Sequence, residues 1–179
     1  MRLSRVVTTI ALTLVVPALA AAQETGPRRG SWAAEATATG EASLLRFRSN
    51  TFAWLIGFSG FYINRDEEDP SVPGDEATLL TARLGIRNYR ATESRVRPFT
   101  TFAALAGYND NVFLPRWEFG GQFEYGAAYF FNRNASLGAS FALRALYGRA
   151  SREAPFGEEF DVRQITVTTG LRFLGAVYF

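Results

Sequence analysis

Large apolar side chains fall on every second residue over long stretches of this chain, and the last such stretch, ITVTTGLRFLGAVYF, runs to residue 179. Ile165, Val167, Leu171, Phe173, Val177 and Phe179 form one row; Thr166, Thr168, Gly170, Arg172 and Ala176 form the other. A period of two sends successive side chains to opposite faces, so the stretch reads as a strand with one greasy face and one small or polar face. Trp117, Phe119, Phe123, Tyr125, Ala127, Tyr129 and Phe131 repeat the pattern against Glu118, Gly120, Gln122, Glu124 and Gly126. After the turn-forming Asn132-Arg133-Asn134, Leu137, Ala139, Phe141, Leu143, Ala145 and Tyr147 do so again against Ser136, Gly138, Ser140, Ala142 and Arg144.

The preceding residues follow the same rule less clearly. Trp32, Ala34, Ala36 and Ala38 oppose Glu35 and Thr37, with Gly40-Glu41 as a turn. Leu45 and Phe47 oppose Arg46 and Arg48, and Phe52, Trp54, Ile56 and Phe58 oppose Ala53, Gly57 and Ser59, with Leu55 blurring the pattern. Leu80, Ala82, Leu84 and Ile86 oppose Thr81, Arg83, Gly85 and Arg87, while residues 97–108 have strand propensity without a clear facing. About eight strands result. After the first turn, short turns near Asn50, Ala91 to Ser94 and Asn132 to Asn134 alternate with longer loops at residues 64–76, 109–115 and 150–162. An up-and-down antiparallel meander is the economical connection.

The two rows differ in a way that decides which one faces inward. In a water-soluble sandwich or barrel the bulky row points to the core and the charged row meets solvent. Here the second row is rich in glycine and alanine, and its charges stand singly between small residues. Such a row suits a narrow polar interior, where Glu35, Arg46, Arg83, Arg87, Glu118, Glu124, Arg144 and Arg172 can pair. Aromatics gather towards strand ends: Trp32, Phe52, Tyr129, Phe131, Tyr178 and Phe179 on the side of the termini, Tyr62, Trp117 and Tyr147 on the other. Girdles of that kind belong to membrane barrels, and a sheet survives in lipid only when it closes. The chain is therefore expected to be all-β, an eight-stranded antiparallel up-and-down transmembrane β-barrel whose last strand pairs with its first.

The beginning of the chain sets the compartment. Arg2 and Arg5 precede an apolar stretch from Val6 to Leu19 and the small residues Ala20-Ala21-Ala22. This reads as a cleaved signal peptide over residues 1–22, too short for a spanning helix, which leaves residues 23–179 as the barrel domain. Removing Arg2 and Arg5 lowers the 19 basic residues to 17, equal to the 17 acidic ones, so no basic patch for nucleic acid is indicated. Cysteine and histidine are both absent, which excludes disulfides, a Ser-His-Asp hydrolase and the usual zinc or copper ligands. No phosphate-binding glycine loop has the right spacing. No enzyme activity, cofactor or metal is expected.

The terminal residues Leu171, Phe173, Val177, Tyr178 and Phe179 resemble the C-terminal signature of bacterial outer-membrane proteins. With the signal peptide, the loop asymmetry and the even strand count, residues 23–179 resemble the small eight-stranded OmpA- and OmpX-type barrels. The resemblance implies a Gram-negative outer membrane, contact with its lipid and lipopolysaccharide, and assembly by the barrel-assembly machinery through Phe173, Val177, Tyr178 and Phe179. A monomer is expected. The likeness is one of architecture and carries no activity across.

Three functional readings follow. The leading one is a structural or surface-interaction protein acting through its outer loops; a narrow, porin-like channel and a soluble lipocalin-like binding barrel are the alternatives. The acidic loop residues Asp66, Glu67, Glu68, Asp69, Asp75 and Glu76 offer carboxylates to a hard cation, but a solvated loop is the simpler reading. For the interior charges, a structural plug is favoured over a charge-selective constriction, because eight strands leave an interior just wide enough for side chains.

Overall fold

The computed structural model describes residues 26–64, 76–111, 116–153 and 159–179. The expected signal peptide and the loop residues Asp66, Glu67, Glu68, Asp69 and Asp75 lie outside the described residues. So does the side chain of Glu76, although its backbone opens the fourth strand. The eight strands are β1 (Trp32–Thr37), β2 (Glu41–Phe47), β3 (Phe52–Asn64), β4 (Glu76–Tyr89), β5 (Val96–Asn111), β6 (Arg116–Asn132), β7 (Ala135–Glu153) and β8 (Glu159–Tyr178). Each pairs antiparallel with the next, and β8 pairs with β1 to close a barrel. The all-β, up-and-down architecture read from the period-two pattern is the one that forms.

Local chemistry fixes the turns. At the end carrying the termini, Ser49 Oγ accepts the backbone N–H groups of Thr51 (3.2 Å) and Phe52 (3.0 Å), and Asn132 Oδ1 accepts that of Asn134 (2.7 Å). These short polar side chains stand in for backbone acceptors where the ladder ends. At the opposite end, the β1–β2 turn needs Gly40 at a φ of +83°, a conformation that side chains disfavour. Gly120 is required for a different reason. A Cβ there would sit 1.9 Å from the Ala145 carbonyl oxygen, so β6 and β7 can coil against each other only over a bare backbone.

The pairing register sets the tilt of the strands. Followed round the barrel through paired residues, Ala33 leads to Leu45, Leu55, Gly85, Ala103, Gln122, Arg144 and Thr168. The residue of β8 actually paired with Ala33 is Tyr178, so the circuit closes with a stagger of ten residues (178 − 168). Ten residues at about 3.3 Å, set against eight spacings of about 4.8 Å, correspond to a tilt of roughly 40°.

Side-chain facing follows the expected rows on β1, β3, β4, β6 and β7. On β5, whose facing the sequence left open, Phe99, Thr101, Ala103 and Leu105 point inward and are buried, while Phe102 points outward. β2 corrects its expectation. Glu41, Ser43, Leu45 and Phe47 face inward, and Arg46 lies on the outer face. There its guanidinium stacks 4.8 Å from the centre of the Trp32 ring and donates to the Gly30 carbonyl. Tyr178 corrects another: expected in an outer aromatic girdle, it is buried in the interior beside Ser136, whose hydroxyl lies 3.0 Å from its own. Phe179 is exposed, as are Trp117, Tyr129 and Tyr147. The Tyr62 side chain lies outside the described residues.

Candidate functional site

The barrel interior is built in layers, because the strands deliver different side chains at different heights. Nearest the termini is an apolar layer. Phe47 from β2, Tyr89 from β4, Phe99 from β5, Phe130 from β6 and Tyr178 from β8 meet there with ring centroids 5.5 to 6.0 Å apart. Leu45, Leu55 and Leu174 fill the space around them. Tilted and edge-on rings at these separations satisfy their quadrupoles and pack against one another across the interior. The sequence rule that bulky residues face outward fails here, where the inner row carries the apolar bulk.

Above the rings lies a charged layer. Glu35 on β1 receives both terminal nitrogens of Arg87 on β4 and stands 3.7 Å from Arg83. Glu124 on β6 approaches Arg87 at 3.5 Å and Arg172 on β8 at 3.4 Å, and accepts from the Ser140 hydroxyl. Glu41 on β2 is the hub: Arg144, Arg172 and Arg83 all converge on it, the last at 3.4 Å. The layers touch, because the Arg87 guanidinium sits 4.4 Å from the centre of the Phe99 ring while its Nε donates to Thr101 at 2.9 Å.

The register explains how such large cations fit. Arg83 is paired across to Gly57, and a Cβ on Gly57 would lie 2.4 Å from Arg83 Nε. Ser43, next in the same lateral row, accepts from Arg83. The glycines of the inner row therefore serve as room for guanidinium groups. Arg144, the outermost member with a quarter of its side chain exposed, is held by Glu41 and by Gln122 Oε1 at 2.9 Å. Glu118 is buried nearer the loop end, between Gly107 and Gly148 in register.

Of the interior residues expected from sequence, Glu35, Arg83, Arg87, Glu124, Arg144 and Arg172 are brought into one ion-pair network, Glu118 is buried apart from its centre, and Arg46 is outside. The missed member is Glu41, which sequence reasoning placed in a turn. Its signal was available: Glu41, Ser43, Leu45 and Phe47 share one parity, and a hairpin turn closed by Gly40 leaves Glu41 free to start the strand. Four arginines share three carboxylates in this network, and Arg83 Nε, Arg172 Nε and Gln122 Nε2 are buried without a hydrogen-bond acceptor among the described residues.

Chemically, this interior cross-links seven strands through charge-assisted bonds above a layer of packed rings. Among the described residues no group of three or more His, Cys, Asp or Glu residues is disposed to hold a metal ion. No protein-family model matches this chain, and a search of curated proteins finds none that matches it.

Proposed function

We propose that this protein is an integral barrel of a bacterial outer membrane, with a closed lumen, serving envelope structure or surface contact rather than solute passage. The observation that carries this reading is the inverted polarity of the wall. Large apolar side chains stand exposed on the outside of every strand from β3 to β8, among them Trp54, Phe58, Leu84, Phe102, Phe119 and Phe141. The guanidinium groups of Arg83, Arg87 and Arg172 are meanwhile buried. A water-soluble lipocalin-like barrel would expose the second set and bury the first. The channel reading loses ground for a separate reason, because Phe47, Tyr89, Phe99, Phe130 and Tyr178 pack against one another across the interior at the end of the termini, where a channel needs an open polar path.

In this reading the outer face meets lipid and lipopolysaccharide, and the exposed Phe179 presents the terminal aromatic to the assembly machinery. The test is to refold residues 23–179 into lipid vesicles, check folding by heat-modifiable gel migration, and record planar-bilayer current. A folded, inserted barrel with no conductance steps is the expected result. Reproducible steps would put the channel ahead, and a folded chain that stays in buffer without detergent would sink the membrane reading.

A further inference from the structure

The wall of the barrel is not equally high all the way round. At a tilt of roughly 40° each residue adds about 2.5 Å of height, so β1 with 6 residues rises about 15 Å whereas β3 with 13 rises about 33 Å. β1 pairs with β8 only over Ala33–Thr37, followed by a last bond from the Ala38 N–H to the Phe173 carbonyl. β2 pairs with β3 only as far as Ser59. Above that level, residues 159–172 of β8 and 60–64 of β3 have no strand on their inner flanks among the described residues.

The two flanks frame one gap, standing over the short β1–β2 hairpin. Phe173 and Phe179 direct their backbone groups at β1, so by alternation Arg163, Ile165, Val167, Thr169 and Leu171 direct theirs into the gap. The exposures agree: Ile165 at 74% and Leu171 at 72% are the most exposed large apolar residues, as expected of side chains with a neighbour on one side only. From Ile165 to Leu171 the edge carries no charge and no proline. On the reading of this barrel as a membrane protein, on which this inference rests, unpaired backbone at that height is costly.

We infer that a second copy of this chain covers the gap, with β8 of each copy pairing antiparallel to β3 of the other about a two-fold axis parallel to the barrel axis. The two free edges suit each other in direction. β8 runs towards the end of the termini and β3 away from it, so the pairing keeps both copies in the same orientation in one membrane, which an antiparallel β8–β8 pairing does not. They suit each other in parity as well: the Phe52 carbonyl accepts from Arg48 on the β2 side, so Gly60 and its even-numbered successors turn their backbone to the gap while Gly60 faces outward beside Leu80. Outward residues then pair with outward residues across each seam. Below the gap, the outer face of β1 and β2 offers Ala34, Ala36 and Ala42, small side chains that let two walls approach.

The chain contains no cysteine, so engineered thiols report on this seam alone. Single variants Leu171→Cys and Gly60→Cys, purified separately, mixed and refolded into vesicles, should give a covalent dimer with a short thiol cross-linker; Phe102→Cys, exposed on β5 across the barrel from the gap, should give none. Sedimentation in density-matched detergent should show two copies per particle. Thr169→Pro removes an N–H that points into the gap and leaves the β7 ladder intact, so it should weaken dimerisation at least tenfold with heat-modifiable folding retained. Thr168→Pro, whose N–H serves β7, should instead damage the barrel. Inserted, folded chains that are monomeric and do not cross-link overturn the inference while leaving the membrane reading in place, and a Thr169→Pro dimer of unchanged affinity overturns the seam. Failure to insert defeats the membrane reading itself and the inference with it.

Discussion

At the scale of single residues, the interior turns on the count of acceptors around the guanidinium groups. Glu41 receives three arginines, so Glu41→Gln leaves Arg83, Arg144 and Arg172 facing one another with their common counter-charge gone. Breaking a buried pair from one side costs about 3–5 kcal/mol, and Glu41→Gln should lower barrel stability by that order in urea titrations followed by gel mobility. Gln122→Glu makes the opposite change. It adds a carboxylate beside Arg144 and removes the Nε2 donor that has no acceptor among the described residues, so the same assay should show a gain of about 1 kcal/mol. A loss on Gln122→Glu would mean that the network does not lack negative charge. Most of these side chains were legible in the sequence as isolated charges in rows of small residues. Arg46 was not, because an arginine beside an outward tryptophan has the same local pattern as one aimed inward.

At the scale of elements, the strands were easy to find and their facing was harder. Long strands such as β6 and β7 carry enough residues for the apolar row to declare itself. β2 has 7 residues, and its inner row holds both Glu41 and Phe47, so polarity alone cannot assign its face. Tyr178 illustrates the same limit, since neighbours on a strand point to opposite faces and only one of Tyr178 and Phe179 can look outward. The reason for both misreadings is the aromatic layer, which reverses the usual polarity of the interior over one level of the barrel. That layer makes its own prediction. Phe47→Ala together with Phe130→Ala removes two of its five rings, and the double variant should conduct small ions in planar bilayers where the parent chain does not. A double variant that folds yet stays electrically silent would place the seal in the charged layer above.

At the scale of the whole molecule, closure and inverted polarity are two halves of one condition. The period-two pattern dictates strands, and eight of them with a ten-residue stagger close into a barrel narrow enough for side chains to fill. The unequal height of the wall was not legible from the pattern, because strand ends depend on where partners stop and not on the alternation itself. Which solvent surrounds the barrel is a question for the outer face, and Leu143 tests it cleanly. It stands exposed in the middle of β7, beside Phe123 on β6 and Thr169 on β8 in register. In water an arginine at such an exposed strand position changes little. Facing the middle of a bilayer, Leu143→Arg should cost on the order of 2–4 kcal/mol, read as a shift in the urea midpoint of the vesicle-inserted barrel. Equal stability of the two proteins in bilayers would mean that this wall does not face lipid, and the exposed apolar surface would then need a protein to cover it.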